Sequence, residues 1–143
     1  MPTVTQSNEK TLKAVLAFLD GRRLKGHIFG FSAVRPTFFV FPPESPHGGA
    51  GTEVRMSDLK AVFFVRDFAG GNEQKEASRA KYPSSRYIEV IFRDGERIRG
   101  FTDAFRTSKP GFFMFPDEAD SNNLRIFVVN QHVCEVKLLD RLR

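Results

Sequence analysis

A chain of 143 residues that is 41% hydrophobic holds enough apolar mass for one ordinary domain or two small ones, which excludes global disorder. Its net charge of +5 permits polyanion binding without demonstrating it. The single cysteine, Cys134, excludes an intrachain disulfide, and no run approaches the ~20 apolar residues of a membrane-spanning helix.

Taken in order, the N-terminal "MPTVTQSNEK" has no apolar signal-peptide core, so a cytoplasmic protein with no transmembrane segment is expected. "SNEKTLKA" reads as a helical turn or a frayed end. "VLAFL" is a short β-type run, and the Asp20-Gly21 pair after it favours a two-residue hairpin turn with both residues at positive φ. The next strand, "RRLKGHIFGF", contains Gly26, a mark of a bulge or a close backbone approach. "SAVRPT" makes a turn, and "TFFVF" is a strand that Pro42 ends by removing a ladder donor. A glycine-rich loop, "PHGGAG", leads to a fourth strand near Glu53–Met56, a tight turn at Ser57-Asp58, and a fifth strand, "LKAVFFV".

The same words then return. Residues 15–44 align without a gap to residues 89–118, an offset of 74, with twelve of thirty positions identical, including Asp20/Asp94, Gly21/Gly95, Gly26/Gly100 and Pro36/Pro110. Two copies of so long a period predict duplicated small units rather than a solenoid. The expected fold is therefore all-β: two tandem five-stranded small barrels over 10–68 and 84–143, with at most short helices and a polar linker at 69–83. Within residues 66–86, "NEQKEASRA" could form a short helix.

In "FFVF" and "FFMF" successive side chains point to opposite faces, and both faces are apolar. One face fills a unit's interior and the other needs a partner. Phe39, Phe41, Phe113 and Phe115 are thus candidate interface residues, through which the units pack together or the chain self-associates or meets a protein partner.

The strings "FLDGRRLKGHIFGF" and "FRDGERIRGFTDAF", with "RIFVVNQHVCEV" later, resemble the two halves of the Sm-like (LSm/Hfq-like) signature, and SH3-like barrels use similar Asp-Gly hairpins. The resemblance covers about 50 residues of each copy and implies small curled barrels and, by the Sm family's habit, RNA binding. The loops here lack that family's Asn, and "MSD" and "NQH" replace its Arg-Gly step. The chain also resembles an uncharacterised bacterial domain family, on Asp94, Gly95, Glu96, Gly100, Pro110 to Phe113, Phe115, Pro116, Ser121 to Asn123 and Phe127 to Val129. That likeness implies an accessory module and no chemistry.

Catalytic and metal-binding patterns are sparse. His27, His47 and His132 are scattered, and read as two surface histidines and one turn histidine. Cys134, in an apolar strand pattern, reads as a small buried hydrophobe. Asp20 and Asp94 are explained by turn chemistry. No enzymatic activity, metal or cofactor is expected. The polar feature that repeats is a basic set: Arg23/Arg97, Lys25/Arg99 and Arg35/Lys109. These six are candidate anion- or partner-binding residues. The expected role is a non-enzymatic interaction or regulatory module, with nucleic-acid binding through the basic positions as the second reading.

Overall fold

Runs of aromatic and β-branched residues dictate extended backbone, and the chain obeys. The computed structural model describes residues 11–44, 51–66, 68, 86–103, 109–117 and 122–139. They form ten antiparallel strands: β1 (Thr11–Phe18), β2 (Arg23–Phe29), β3 (Thr37–Phe41), β4 (Thr52–Arg55), β5 (Leu59–Val65), β6 (Arg86–Phe92), β7 (Arg97–Thr102), β8 (Gly111–Pro116), β9 (Asn123–Val129) and β10 (Val133–Leu138). Single 3-10 turns, Met56–Asp58 and Asn130–His132, join β4 to β5 and β9 to β10.

The Asp-Gly hairpins form, with a different geometry from the one expected. Gly21 and Gly95 each have φ of 94°, while no other residue type among those described takes positive φ. Asp20 and Asp94 therefore stay on the ordinary side. Gly21 N–H donates to Phe18 O (3.1 Å) and Phe18 N–H to Arg22 O (3.0 Å), the closure of a three-residue loop whose last residue is a left-handed glycine. Gly95 and Phe92 make the same two bonds at 2.9 Å each. Each aspartate braces its loop: Asp20 Oδ1 accepts from Arg22 N–H (3.0 Å) and Asp94 Oδ1 from Glu96 N–H (2.9 Å).

Gly26 and Gly100 lie where β2 and β7 cross their neighbours closely. A Cβ at either would run into the carbonyl oxygen of Phe41 or Phe115. This close approach lets the strands bend.

All ten strands belong to one sheet in the order β10-β6-β7-β8-β9-β5-β1-β2-β3-β4. Among the described residues no ladder joins β4 to β5 or β9 to β10, so the hydrogen bonding is one open sheet and does not divide into two five-stranded rings. The sheet nevertheless curls. Val54 on β4 shares a buried cluster with Leu59, Val62 and Phe64 on β5, though three strands separate β4 from β5 in the order. Among the described residues no helix covers this face, and the sheet bends to bury Leu16, Ile28 and Leu59 to 0% exposure. A second cluster gathers Ile88, Val90, Phe92, Phe112, Met114, Ile126 and Val128.

The halves meet through β5 and β9, not through the Phe strands β3 and β8 pairing with each other. Ala61 faces Val128, Val62 faces Phe127, Phe63 faces Ile126 and Phe64 faces Arg125. Backbone amides on the edge of β5 found partners on β9, a choice that aromatic pattern does not govern. Of the candidate interface residues, Phe113 packs at this junction, with ring centroids 5.0 Å from Phe127 and 6.2 Å from Phe31. Phe41 packs edge-on to Phe29 at 5.6 Å, Phe115 lies opposite Phe101, and Phe39 is 45% exposed.

Two side chains lie where the sequence did not put them. His27 is buried at 8% exposure, its Nε2–H donating to Pro43 O (3.1 Å) and its ring edge-on to Phe68. Cys134 is exposed: it falls at the register shift between Val133 and Glu135, where no β6 residue stands opposite it, on a strand that is outermost among the described ones. The expected linker 69–83, the "NEQKEASRA" helix and His47 lie outside the described residues.

Candidate functional site

The β5–β9 junction brings four turns to one end of the sheet. Proline sets the first pair. Pro36 precedes β3 and Pro110 precedes β8, and each carbonyl accepts a bond from the start of a 3-10 turn: Met56 N–H to Pro36 O (2.8 Å) and Asn130 N–H to Pro110 O (2.9 Å). Asn130 Nδ2 also donates to Lys109 O (2.8 Å), tying the second turn to its neighbour. His132 Nε2–H donates to Ser57 O (2.8 Å), which ties the two 3-10 turns together.

Between these turns lies an open cleft of about 490 Å³. Its floor is apolar: Met56 and Val129 are buried, and Pro36, Pro110 and Ala33 flank them. Its charged lining residues among those described are Arg35, Arg55 and Lys109, and the described lining holds no carboxylate and no aromatic ring. Arg55 Nε lies 3.6 Å from Asp58 at the margin, with both side chains more than half exposed. Val34, 77% exposed, stands at the rim.

Three like charges around an apolar floor make a field that favours an anion, and partial enclosure strengthens it over open water. The arrangement suits binding an anionic group that carries an apolar neighbour. Among the described residues no group of three or more His, Cys, Asp or Glu is placed to hold a metal ion.

The six basic positions divide. Arg35 and Lys109 come together in the cleft. Lys25 Nζ donates to Phe68 O (3.2 Å). Arg97 and Arg99 are spent on Glu89, which is buried on β6. The Arg99 guanidinium, then burial working the other way, then the nearby cations set the Glu89 carboxyl, whose pKa is lowered overall. Arg23 pairs with Glu96 at 3.7 Å and lies 5.5 Å from the Phe63 ring.

Three contributors escaped the sequence. Arg55 and Asn130 sit next to turns whose convergence only the junction creates. Lys60 is the third, buried in β5 with Nζ 2.5 Å from Asp94 Oδ2 and also paired with Glu96. Burial opposes its charge, yet the two carboxylates outweigh it and the Lys60 pKa is raised. A lone charge inside "LKAVFFV" was the available signal. The pair clamps the β6–β7 turn of one half to β5 of the other.

Among the described residues no helix is long and apolar enough to cross a membrane. Comparison with curated proteins finds no match, and comparison with solved structures finds none. A family model does match, over residues 45–140, well over half of the chain. The chain belongs to the Family of unknown function (DUF6982).

Proposed function

We propose that this chain is a non-enzymatic interaction module whose cleft between the halves receives an acidic segment of a protein partner. The observation that carries the reading is the convergence of Arg35, Arg55 and Lys109 on one apolar-floored cleft built by both halves. Each half is read as a small Sm-like or SH3-like barrel descended from one ancestral unit. Supporting that descent, hairpin bonds, aspartate braces and 3-10 turns recur at the 74-residue offset that separates Gly21 from Gly95.

Nucleic acid is the second reading, favoured by the same cations and by the Sm resemblance. Single-strand binders add exposed aromatic rings on which bases stack. The described lining residues of the cleft offer apolar aliphatic groups and no such ring, which favours an acidic peptide.

Fluorescence anisotropy with a labelled Asp/Glu-rich peptide containing leucine, and separately with a single-stranded RNA, tests both. The peptide is expected to bind, and Arg35→Glu with Lys109→Glu to weaken it at least about tenfold, the equivalent of ~1.4 kcal/mol. Tighter RNA binding that falls with salt at a log–log slope near 2, three phosphates at ~0.7 each, would favour the second reading. Equal retention of both probes by the double variant would remove the cleft from either.

A further inference from the structure

The sheet has two outer strands, β4 and β10, each with one edge that has no ladder partner among the described residues. These are the strands that hold, in the other half, the places of β9 and β5. The order β4-β3-β2-β1-β5 runs on as β9-β8-β7-β6-β10, so β10 of one copy and β4 of another could in backbone terms repeat the β5–β9 pairing. Such a head-to-tail contact would leave the same two edges free again and grow without an internal stop. We infer that the chain carries a built-in bar to this: charged side chains stand at the edge positions where the internal junction is apolar, so the junction forms within the chain and not between copies.

At the junction, Ala61 and Phe63 of β5 reach across into the second cluster, and Phe127 and Val129 of β9 reach across into the first. At the 74-residue offset their counterparts are Glu135, Lys137, Glu53 and Arg55, all exposed. The junction register carried over by the same offset would set Glu135 against buried Val54 and Glu53 against Val136. In that register neither carboxylate has a cation directly opposite it, and a charge buried against aliphatic carbon is strongly disfavoured. β4 is also short, four residues against seven in β9. Short edges and inward charges are how sheets block edge-to-edge pairing.

The remaining edge surface is still apolar, so the bar is specific. Phe39 (45% exposed) and Leu138 (64% exposed) are the counterparts of Phe113 and Phe64, whose rings meet inside the junction at 6.3 Å. One consequence reaches the cleft. It is built by turns from two adjoining halves, so every new junction would add a cleft, whereas barred edges leave one per chain.

The test uses two variants of the full chain. One carries Glu53→Phe and Arg55→Val and frees the β4 edge; the other carries Glu135→Ala and Lys137→Phe and frees the β10 edge. Light scattering on the separate proteins is expected to give the single-chain mass of 16.2 kDa, as for the parent chain. An equimolar mixture is expected to double that mass and go no further, because each variant still has one barred edge. The inference is overturned if the parent chain forms multiples, if the mixture of folded variants stays at one chain, or if either variant associates alone as strongly as the mixture. Should circular dichroism show an unfolded variant, Glu53→Gln/Arg55→Met mixed with Glu135→Gln/Lys137→Met removes the charges at nearly constant side-chain size. Doubling in that mixture alone supports the bar, and its absence overturns it.

Discussion

At the scale of single residues, Lys60 separates what composition permits from what burial demands. An ammonium at 7% side-chain exposure survives only because Asp94 and Glu96 come to it from the other half. Lys60→Met leaves those carboxylates without their shared ammonium, Glu96 keeping the Arg23 contact at 3.7 Å. Both are more than a third exposed, so the expected loss is discounted to about 1–3 kcal/mol, read from urea unfolding. The pH dependence follows in sign. Lys60 holds Asp94 below the usual carboxylate range, and Arg99 does the same to Glu89. Their stabilisation is complete above the unfolded values near pH 4 and fades as pH falls through the lower folded ones. The raised Lys60 pKa works at the other end: its contribution is full below the unfolded lysine value and is lost as pH rises through the folded one. A thermal-unfolding series should show stability falling in acid below about pH 4, with a shallower fall in Lys60→Met. An identical acid limb in the variant would remove Lys60 from the account.

Among the elements, β3 and β8 carry nearly the same sequence and meet different fates. Phe113 on β8 sits in a ring cluster with Phe31, Phe64 and Phe127, under the Arg125 guanidinium at 4.5 Å. Phe39 on β3 faces outward beside a barred edge. Phe113→Ser should cost about 2–4 kcal/mol, somewhat under a fully buried Phe truncation because the ring is half-buried. Phe39→Ser should stay within ~0.5 kcal/mol. Paired denaturant titrations decide the matter, and equal costs would mean that the two strands share one environment. The difference arises from neighbours and not from strand sequence, which is why the Phe runs alone did not distinguish Phe113, at the junction, from Phe39, at the outer edge.

For the molecule as a whole, the junction makes one body of two cores. Phe127 and Val129 belong by chain position to the second half and by packing to the first cluster, while Ala61 does the reverse. Neither core is complete alone, so unfolding should be a single transition. Calorimetry is expected to give a calorimetric-to-van't Hoff enthalpy ratio near one. Two resolved transitions would show that each half holds its own core. The cleft depends on the same junction, since its cations come from turns on both sides.

The sequence by itself determined whatever rests on local chemistry. Strands follow from aromatic and β-branched runs, hairpin loops from Asp20-Gly21 and Asp94-Gly95, and close crossings from Gly26 and Gly100, because each needs only a residue's own steric and hydrogen-bonding character. It also named Arg35 and Lys109, though among six candidates and without a reason to prefer them. Tertiary structure alone decided that β5 meets β9, that Cys134 is exposed and His27 buried, and that two distant turns share one cleft with Arg55. The reason is physical: backbone N–H and C=O groups are the same in every residue, so a free strand edge does not announce its partner. Side-chain charge at the edges and apolar bulk at the junction select one pairing from many, and that selection exists only once the chain has curled.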